Sequence, residues 1–189
     1  MVARLFIIHM KKYFLLLTLL CLSLSARAHD AEVDGIFYNL DAANKTATVT
    51  FQGDNYDSYN NEYSGDVVIP ETVTYNGITY SVTSLGWACF TYCSSLTSIT
   101  IPNSVTSLGD DCFSWCSSLE RMVVDAANPV YDSREDCNAI IHTSTNELVA
   151  GCKNSQIPNS VTSLGYMCFY GCSSLTSITI PNSVTSLGD

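Results

Sequence analysis

Hydrophobic and polar residues alternate along the chain in short runs that predict β-strands. In the run Leu96–Ile101 the two isoleucines alternate with Ser98 and Thr100, which is the period of a strand with one buried face. Pro102 follows directly and has no N–H to donate, so the strand is predicted to end there. A run this short cannot bury its apolar face alone and must stack against a neighbouring run.

The chain is internally repetitive. Ser94–Asp110 and Ser173–Asp189 are identical over seventeen residues, and Pro158–Gly165 repeats eight of them. The glycines at one shared repeat position are Gly86, Gly109, Gly165 and Gly188. Their spacings of 23, 56 and 23 residues indicate repeats of about 23 residues over 66–189, with an insertion around 125–155.

Each repeat is predicted to be a strand followed by a short turn. Cys112, Phe113 and Cys116 recur at helical spacing, which predicts a single turn of 3-10 or α helix. Stacked repeats would place their strands ~4.8 Å apart in a parallel sheet. The predicted fold class is therefore a mainly β solenoid with a parallel β-sheet.

The repeat motif resembles that of a known family. Residues Leu96–Cys116 read L-x-x-I-x-I-P-x-S-V-x-x-L-G-x-x-[AC]-F-x-x-C, and Leu175–Gly188 and Ala88–Cys93 repeat parts of it. This pattern resembles the BspA-like class of leucine-rich repeats over roughly 66–189. The resemblance implies a leucine-rich-repeat solenoid, and a secreted or surface bacterial protein that acts in adhesion and protein binding.

Residues 29–65 are predicted to form an N-terminal β cap. Val33–Leu40 and Thr46–Phe51 read as an antiparallel strand pair, and Gln52–Ser64 between the cap and the repeats is a polar loop. Further along, Tyr75–Ile78 carries the Asn-Gly signal of a two-residue hairpin. Such a cap would cover the first repeat, whose core would otherwise be exposed.

The insertion is predicted to be a hairpin that projects from one repeat. Asn138–His142 and Glu147–Ala150 are its two apolar runs, and a polar turn lies between them. Cys137 and Cys152 flank this hairpin and are the candidate disulfide of the chain.

Residues 1–28 are predicted to be a secretory signal peptide. Lys11 and Lys12 precede the apolar run Tyr13–Leu24, and Ala26-Arg27-Ala28 places small residues at the cleavage site, so the mature chain would begin at His29. The mature chain contains no second hydrophobic span in its sequence, and we expect it to be exported without membrane insertion.

Charge excludes one class of partner. The whole chain carries 18 acidic and 8 basic residues, and removal of residues 1–28 leaves 4 basic residues and a formal charge of −14. Nucleic-acid binding needs Lys and Arg against phosphate, so the sequence argues against nucleic-acid partners.

Three C-x3-C pairs are the main chemical candidates. Metal ligation and disulfides are alternatives, but each pair occupies the inward face of a repeat, where Cys behaves as a small hydrophobe. No catalytic constellation is recognisable, and we predict no enzymatic activity, metal or cofactor.

Aromatic residues at variable repeat positions are the candidate binding surface. They are Trp87, Tyr92, Trp115, Tyr166 and Tyr170. Exposed aromatics are favoured anchors for partners, although packing between repeats is an equally weighted alternative. A hydroxyl-rich strand face with Arg121 at its centre is the other candidate surface.

These features predict a non-enzymatic secreted or cell-surface protein that binds an extracellular or surface protein, in adhesion to host or neighbouring-cell proteins. Two alternatives remain open. One is a glycan-binding module, in which exposed Trp and Tyr would stack on sugar faces. The other is a structural stalk or spacer belonging to a longer surface protein.

Overall fold

The computed structural model describes residues 29–58 and 60–188, so the predicted signal peptide lies outside the described residues. The described chain contains fourteen short strands and one 3-10 helix, Arg134–Asp136. The strands are β1 (Ala31–Val33), β2 (Ile36–Asp41), β3 (Thr46–Thr50), β4 (Gly65–Val68), β5 (Thr72–Tyr75), β6 (Ile78–Leu85), β7 (Leu96–Ile101), β8 (Ser107–Leu108), β9 (Arg121–Val124), β10 (Tyr131–Asp132), β11 (Ala139–His142), β12 (Glu147–Gly151), β13 (Ser163–Leu164) and β14 (Ser186–Leu187).

The strands form three sheets instead of one parallel sheet. The sheet β4-β7-β9 is wholly parallel. The sheet β1-β2-β3-β6-β5, with β8 also on β6, and the sheet β10-β11-β12-β13-β14 mix parallel and antiparallel pairs. The antiparallel pairs come from the N-terminal segment, the β5–β6 hairpin and the insertion, where turns reverse the chain between neighbouring strands.

The N-terminal segment has one more turn than the sequence pattern predicted. The run Val33–Leu40 is divided into β1 and β2 by a turn at Asp34 and Gly35, whose φ angles are 51° and 77°. Asp-Gly is a two-residue hairpin signal because both positions adopt a left-handed conformation. The predicted Asn76-Gly77 turn joins β5 and β6.

The core lies between the strands and the turns that follow them. The inward residues Leu96, Ile99, Ile101 and Val105 are each 0% exposed, as the alternating pattern required. They belong to one cluster that runs from β2 to Cys152, and a smaller cluster lies around Ile141 in the insertion.

The segments that follow each shared glycine are not helical, contrary to the spacing argument. We call residues 86–93, 109–116 and 165–172 the turn segments. In the first, Thr91 N–H donates to Ala88 O (3.0 Å) and Cys93 N–H donates to Phe90 O (3.1 Å), as in a 3-10 turn. Left-handed residues, among them Ala88 (φ 53°) and Tyr92 (φ 62°), interrupt this pattern, so the chain forms a series of tight turns.

The insertion hairpin is buried instead of projecting. Strands β11 and β12 pair antiparallel, and β12 also pairs parallel with β13 of the next repeat. Ile140, Ile141 and Leu148 are each 0% exposed. These apolar residues would be exposed on a projecting hairpin, and burying them draws the hairpin into the stack.

One repeated sequence adopts two environments. Leu96–Ile101 is the central strand of β4-β7-β9. The identical hexapeptide Leu175–Ile180 forms no strand, and no backbone hydrogen bond to another described residue involves 176–180. Ile101 is 0% exposed, whereas its counterpart Ile180 is 49% exposed.

This contrast predicts that the two segments differ in amide hydrogen exchange. Because their sequences are identical, their intrinsic exchange rates are equal, and any difference must come from structure. Amides of 176–180 should exchange faster than those of 97–101, by roughly a hundredfold or more, because only the latter open with a cooperative sheet. Two-dimensional NMR resolves the identical segments, and the equal sequences serve as their own control. Equal protection in the two segments would contradict the described pairing.

Candidate functional site

A continuous strip of aromatic rings lies on the outer side of the turn segments. We call Tyr56, Trp87, Tyr92, Trp115 and Tyr170 the aromatic strip. Tyr56 contacts Trp87 edge-on at 4.9 Å between ring centroids and stacks on Tyr92 at 6.2 Å. Tyr92 stacks on Trp115 at 6.2 Å, and Trp115 meets Tyr170 edge-on at 5.4 Å.

The strip is exposed, although its rings contact one another. The side chains of Trp87, Trp115 and Tyr170 are 51%, 41% and 46% exposed. On the inner side of the same turns, Phe90 and Phe113 are 0% and 7% exposed and stack at 5.4 Å. The turn segments therefore separate their aromatics into a core column of Phe and a surface strip of Trp and Tyr.

Two rings of the strip stand on left-handed residues. Tyr92 and Trp115 both have φ of 62°, and the equivalent residue of the third turn segment is Gly171, with φ of 75°. A left-handed conformation costs a residue with a Cβ roughly 1–2 kcal/mol and costs glycine almost nothing. Fold stability alone favours glycine at this position, so the chain carries aromatic residues there at a conformational cost.

Tyr56 reaches the strip from the polar loop Gln52–Ser64. Asn61 in this loop accepts hydrogen bonds at Oδ1 from Ser94 Oγ (2.9 Å) and Ser95 N–H (2.8 Å). Tyr63 donates its hydroxyl proton to Thr50 O (2.5 Å). Sequence reasoning missed Tyr56, and the only available signal was the density of tyrosines in an otherwise polar loop.

Two predicted site residues lie apart from the strip. Tyr166 is 59% exposed, with no aromatic contact to another described residue. Arg121 lies on β9, on the strand side of the repeats, beside Asp136 and Asn138. The structure thus brings together four of the five predicted aromatics, and places Arg121 on a separate surface.

The repeat motif is that of a defined family. The BspA type leucine rich repeat region matches in six copies over residues 71–131 and 141–189, which is more than half of the chain. The chain belongs to the BspA-type leucine-rich repeat family. No functionally curated protein matches it.

Three solved bacterial structures are similar to this BspA-type chain. A leucine-rich repeat protein from Bacteroides ovatus is 27% identical with a TM-score of 0.54, over 85% of this chain and 38% of that one. One from Eubacterium ventriosum is 26% identical with a TM-score of 0.52, over 66% and 32%. A leucine rich cell surface protein from Faecalibacterium prausnitzii is 26% identical with a TM-score of 0.45, over 83% and 32%. The chain spans about a third of the length of these proteins.

The insertion opens a cavity of about 200 Å³ between two BspA-type turn segments. The segments touch where Trp115 N–H donates to Tyr170 O (3.3 Å), and the cavity lies between Asp110 and Tyr166, where β12 also lines it. Within 29–58 and 60–188, no group of three or more metal-ligating side chains is assembled. No helix among these residues is long and apolar enough to cross a membrane.

The cysteines of the first two turn segments are buried free thiols with little nucleophilic character. Cys112 Sγ donates to Gly109 O (2.8 Å) and Cys116 Sγ donates to Phe90 O (3.0 Å). Burial raises the pKa of Cys93 to about 11, and raises that of Cys116 well above its ordinary value. A thiol with a raised pKa is a poor nucleophile and a poor metal ligand at neutral pH.

The candidate disulfide is not formed in the structure. Cys137 Sγ donates to Ala139 O (3.6 Å) within the smaller cluster. Cys152 Sγ donates to Asn138 O (3.2 Å) and belongs to the main cluster. In the structure the two thiols are free, lie in separate clusters and donate to different backbone carbonyls.

Glu62 is a partly buried carboxyl in the loop that carries Tyr56. Its Oε2 accepts the Gln52 N–H (2.8 Å), while its Oε1 is buried without a hydrogen-bond partner. Burial raises the pKa of Glu62 from 4.5 to about 7. The proton is therefore held more tightly in the folded chain than in the unfolded one.

The raised pKa of Glu62 predicts the direction of a pH effect on stability. Between pH 4.5 and about 7 the folded chain binds more protons than the unfolded chain, so this carboxyl makes the free energy of unfolding decrease as pH rises through that window. Glu62→Gln should flatten the decrease and raise the melting temperature at pH 8. The exposed Glu71→Gln is the control, and an unchanged pH profile in E62Q would contradict the assignment.

The thiols should differ in reactivity according to burial. Cys168 and Cys172 are partly exposed, whereas the other six described cysteines are buried. With iodoacetamide at pH 8, the native chain should label only at these two, and slowly, because burial raises the pKa of each to about 11. The double variant C168S/C172S should label only after unfolding. Native labelling of Cys89 would refute the buried arrangement.

Proposed function

We propose that the chain is a secreted or cell-surface protein-binding module whose partner docks along the aromatic strip. The observation that carries the proposal is the display of Tyr92 and Trp115 on left-handed residues, both with φ of 62°. The turn requires a left-handed residue at this position, and Gly171 fills it in the third segment, but nothing in the turn requires an aromatic residue there. Strained residues that the fold could replace with glycine concentrate at functional sites. Tryptophan and tyrosine are also the residues most enriched among binding hot spots.

The form of the strip favours an extended protein surface over a small molecule. The rings span three turn segments and the loop Gln52–Ser64, so a partner would meet a line of contacts along the repeats. Stacked repeats place the equivalent residues Tyr92 and Trp115 side by side, and Tyr56 and Tyr170 extend the strip from non-equivalent positions. Adhesion to host or neighbouring-cell proteins is the role we propose for it.

We further propose that the repeats form one solenoid, with residues 29–65 as its N-terminal cap. The parallel sheet β4-β7-β9 and the stacked pair of Phe90 and Phe113 support continuous stacking. The β3–β6 pairing ties the N-terminal strands to the first repeat, as a cap would be. Export is supported by the apolar run Tyr13–Leu24 and the Ala-x-Ala site.

A non-enzymatic role is part of the proposal. The cysteines are the strongest nucleophiles of the repeats, and burial raises the pKa of Cys89 and Cys116 well above the ordinary value. Thiols held protonated in a core stabilise packing and do not attack substrates.

Glycan binding is the second candidate. Tyr166 favours it, because this ring is 59% exposed and stands apart from the strip, with its faces free of other described aromatics. Sugar recognition by aromatic stacking needs an open ring face. A glycan array in which Tyr166→Ala alone abolishes a signal would support this candidate, whereas a stalk or spacer would bind neither class of ligand.

The decisive comparison is between a surface ring and a core ring in one turn segment. Trp115→Gly removes a left-handed side chain, so the relieved strain and glycine's backbone entropy nearly cancel, and melting should change by only about 2 °C. Binding to a panel of extracellular-matrix proteins should fall at least tenfold, as at a hot spot. Phe113→Ala should instead destabilise the fold by about 3–5 kcal/mol, through loss of a core ring.

Paired melting and biolayer-interferometry curves measure both effects. Gly171→Ala makes the reverse change at the equivalent position and serves as the control. It adds a Cβ beside the Trp115 backbone at a left-handed residue, and should lower stability. If W115G melts like F113A, or if it binds the panel as tightly as the unmodified chain, the strip is not the docking surface.

A further inference from the structure

Acidic residues border the aromatic strip along its length. Asp54 and Asp57 flank Tyr56 in the loop. Asp110 is exposed and lies beside Trp87, because the Ala88 N–H donates to Asp110 O (2.9 Å). The side chains of these three aspartates make no hydrogen bond to another described residue, so their charges face solvent.

Asp111 adds a charge close to Ser114, the residue that precedes Trp115. Its backbone oxygen accepts the Thr91 hydroxyl (2.7 Å), and its Oδ1 accepts the Ser114 hydroxyl (3.2 Å). The first bond joins two turn segments, and the second holds the carboxylate against Ser114, the residue that precedes Trp115. The strip therefore carries negative charge at its loop end and at its centre.

No basic side chain balances these charges among the described residues. The loop 52–58 and 60–64 and the three turn segments contain no Lys or Arg. Arg134 pairs with Asp132 at 2.5 Å, and Lys153 pairs with Glu120. Lys45 lies in the turn between β2 and β3, and Arg121 lies on β9. The basic residues are thus paired or on other surfaces, and the strip has one sign of charge.

We propose that the partner of the aromatic strip is a cationic protein segment, in which Arg or Lys side chains lie on the rings. This inference rests on the proposed function and names the chemistry of its partner. Tyr and Trp faces attract ammonium and guanidinium groups within about 6 Å of the ring centroid. Carboxylates within the Debye length of ~8 Å at physiological salt add to that attraction and speed association.

Arginine fits the strip better than lysine. The guanidinium is planar and weakly hydrated, so it stacks on a ring while its N–H groups reach a carboxylate. Asp110 lies beside Trp87, and the Asp111 carboxylate is held by Ser114, the residue before Trp115, so the strip has a carboxylate near a ring at two places. A segment with several arginines would therefore engage successive rings.

The test uses the chain from His29 with a nona-arginine peptide, a nona-lysine peptide and the neutral citrulline isostere. We expect nona-arginine to bind most tightly, nona-lysine less tightly and the citrulline peptide least. The affinities of the first and last should differ at least tenfold, because a few cation–ring contacts each strengthen binding about two- to fivefold. Tryptophan fluorescence reports binding directly, because Trp87 and Trp115 are the only tryptophans. Affinity for nona-arginine should fall further between 50 and 500 mM NaCl.

Two matched triple variants separate the strip from general charge. D54N/D57N/D110N neutralises the border of the strip, and E32Q/D34N/E71Q removes the same charge at exposed positions elsewhere. The first should lose at least about tenfold in affinity for nona-arginine, and the second should change it less than about twofold. Trp115→Gly should weaken nona-arginine binding about fivefold or more. Equal losses in the two triples would overturn the proposal by showing attraction to net charge alone.

The two proposals fail in different ways. If matrix proteins bind through Trp115 but that binding and nona-arginine binding are unaffected by D54N/D57N/D110N, the strip is a docking surface and its partner is not cationic. If matrix-protein binding is independent of Trp115, the proposed function itself is wrong. Binding of nona-arginine with the same affinity as citrulline also overturns the cationic partner.

Discussion

The close approach of successive backbones is the constraint on which the rest of this structure depends. The Ala88, Phe90 and Tyr92 N–H groups donate to Asp110, Cys112 and Ser114 carbonyls at 2.9, 2.9 and 3.0 Å. Every second residue of one turn segment is thus bonded to the next segment. A chain that bonds in this way must make tight turns, and left-handed residues are how it makes them.

The same constraint decides which side chains fit on each side of the turns. Inward positions lie close to the neighbouring repeat, so small thiols such as Cys112 and flat stacked rings such as Phe90 and Phe113 fill them. Outward positions are free of the core, yet they remain one repeat apart, which brings the equivalent rings of Tyr92 and Trp115 into contact. Stacking therefore sets the spacing of the outward positions, and the aromatic residues at those positions form the strip. Gly109 shows the limit of approach, because a Cβ there would meet the Trp87 backbone.

The insertion shows how the stack tolerates an irregular unit. It enters on the strand side, where β12 pairs with β13, and leaves the contact between Trp115 and Tyr170 intact on the other side. A cavity lies beside Asp110 and Tyr166, and β12 of the insertion lines it. The aromatic strip continues across the 33-residue interruption of the repeat spacing, through the contact between Trp115 and Tyr170.

Local periodicity and composition were enough to predict much of the fold. Neighbouring residues alone were enough to predict the inward residues of Leu96–Val105, the Asn76-Gly77 turn, the β11–β12 hairpin and the family. The sequence also determined that the acidic residues of the loop and turns have no basic neighbours in the chain. The helical turn at Cys112–Cys116 was wrong because spacing does not reveal left-handed residues such as Asp111 (φ 58°).

Only the tertiary structure decided which segments pair and which side chains come into contact. Leu96–Ile101 and Leu175–Ile180 have one sequence and two environments, since strand pairing depends on neighbours that are distant in the chain. The same reason explains Tyr56 and Arg121. The fold of the loop brings Tyr56 to the strip, and the position of β9 keeps Arg121 away from it, and neither follows from the local sequence pattern. Exposure and strain at Trp115 likewise emerge only when the repeats stack, because backbone contact between repeats imposes both.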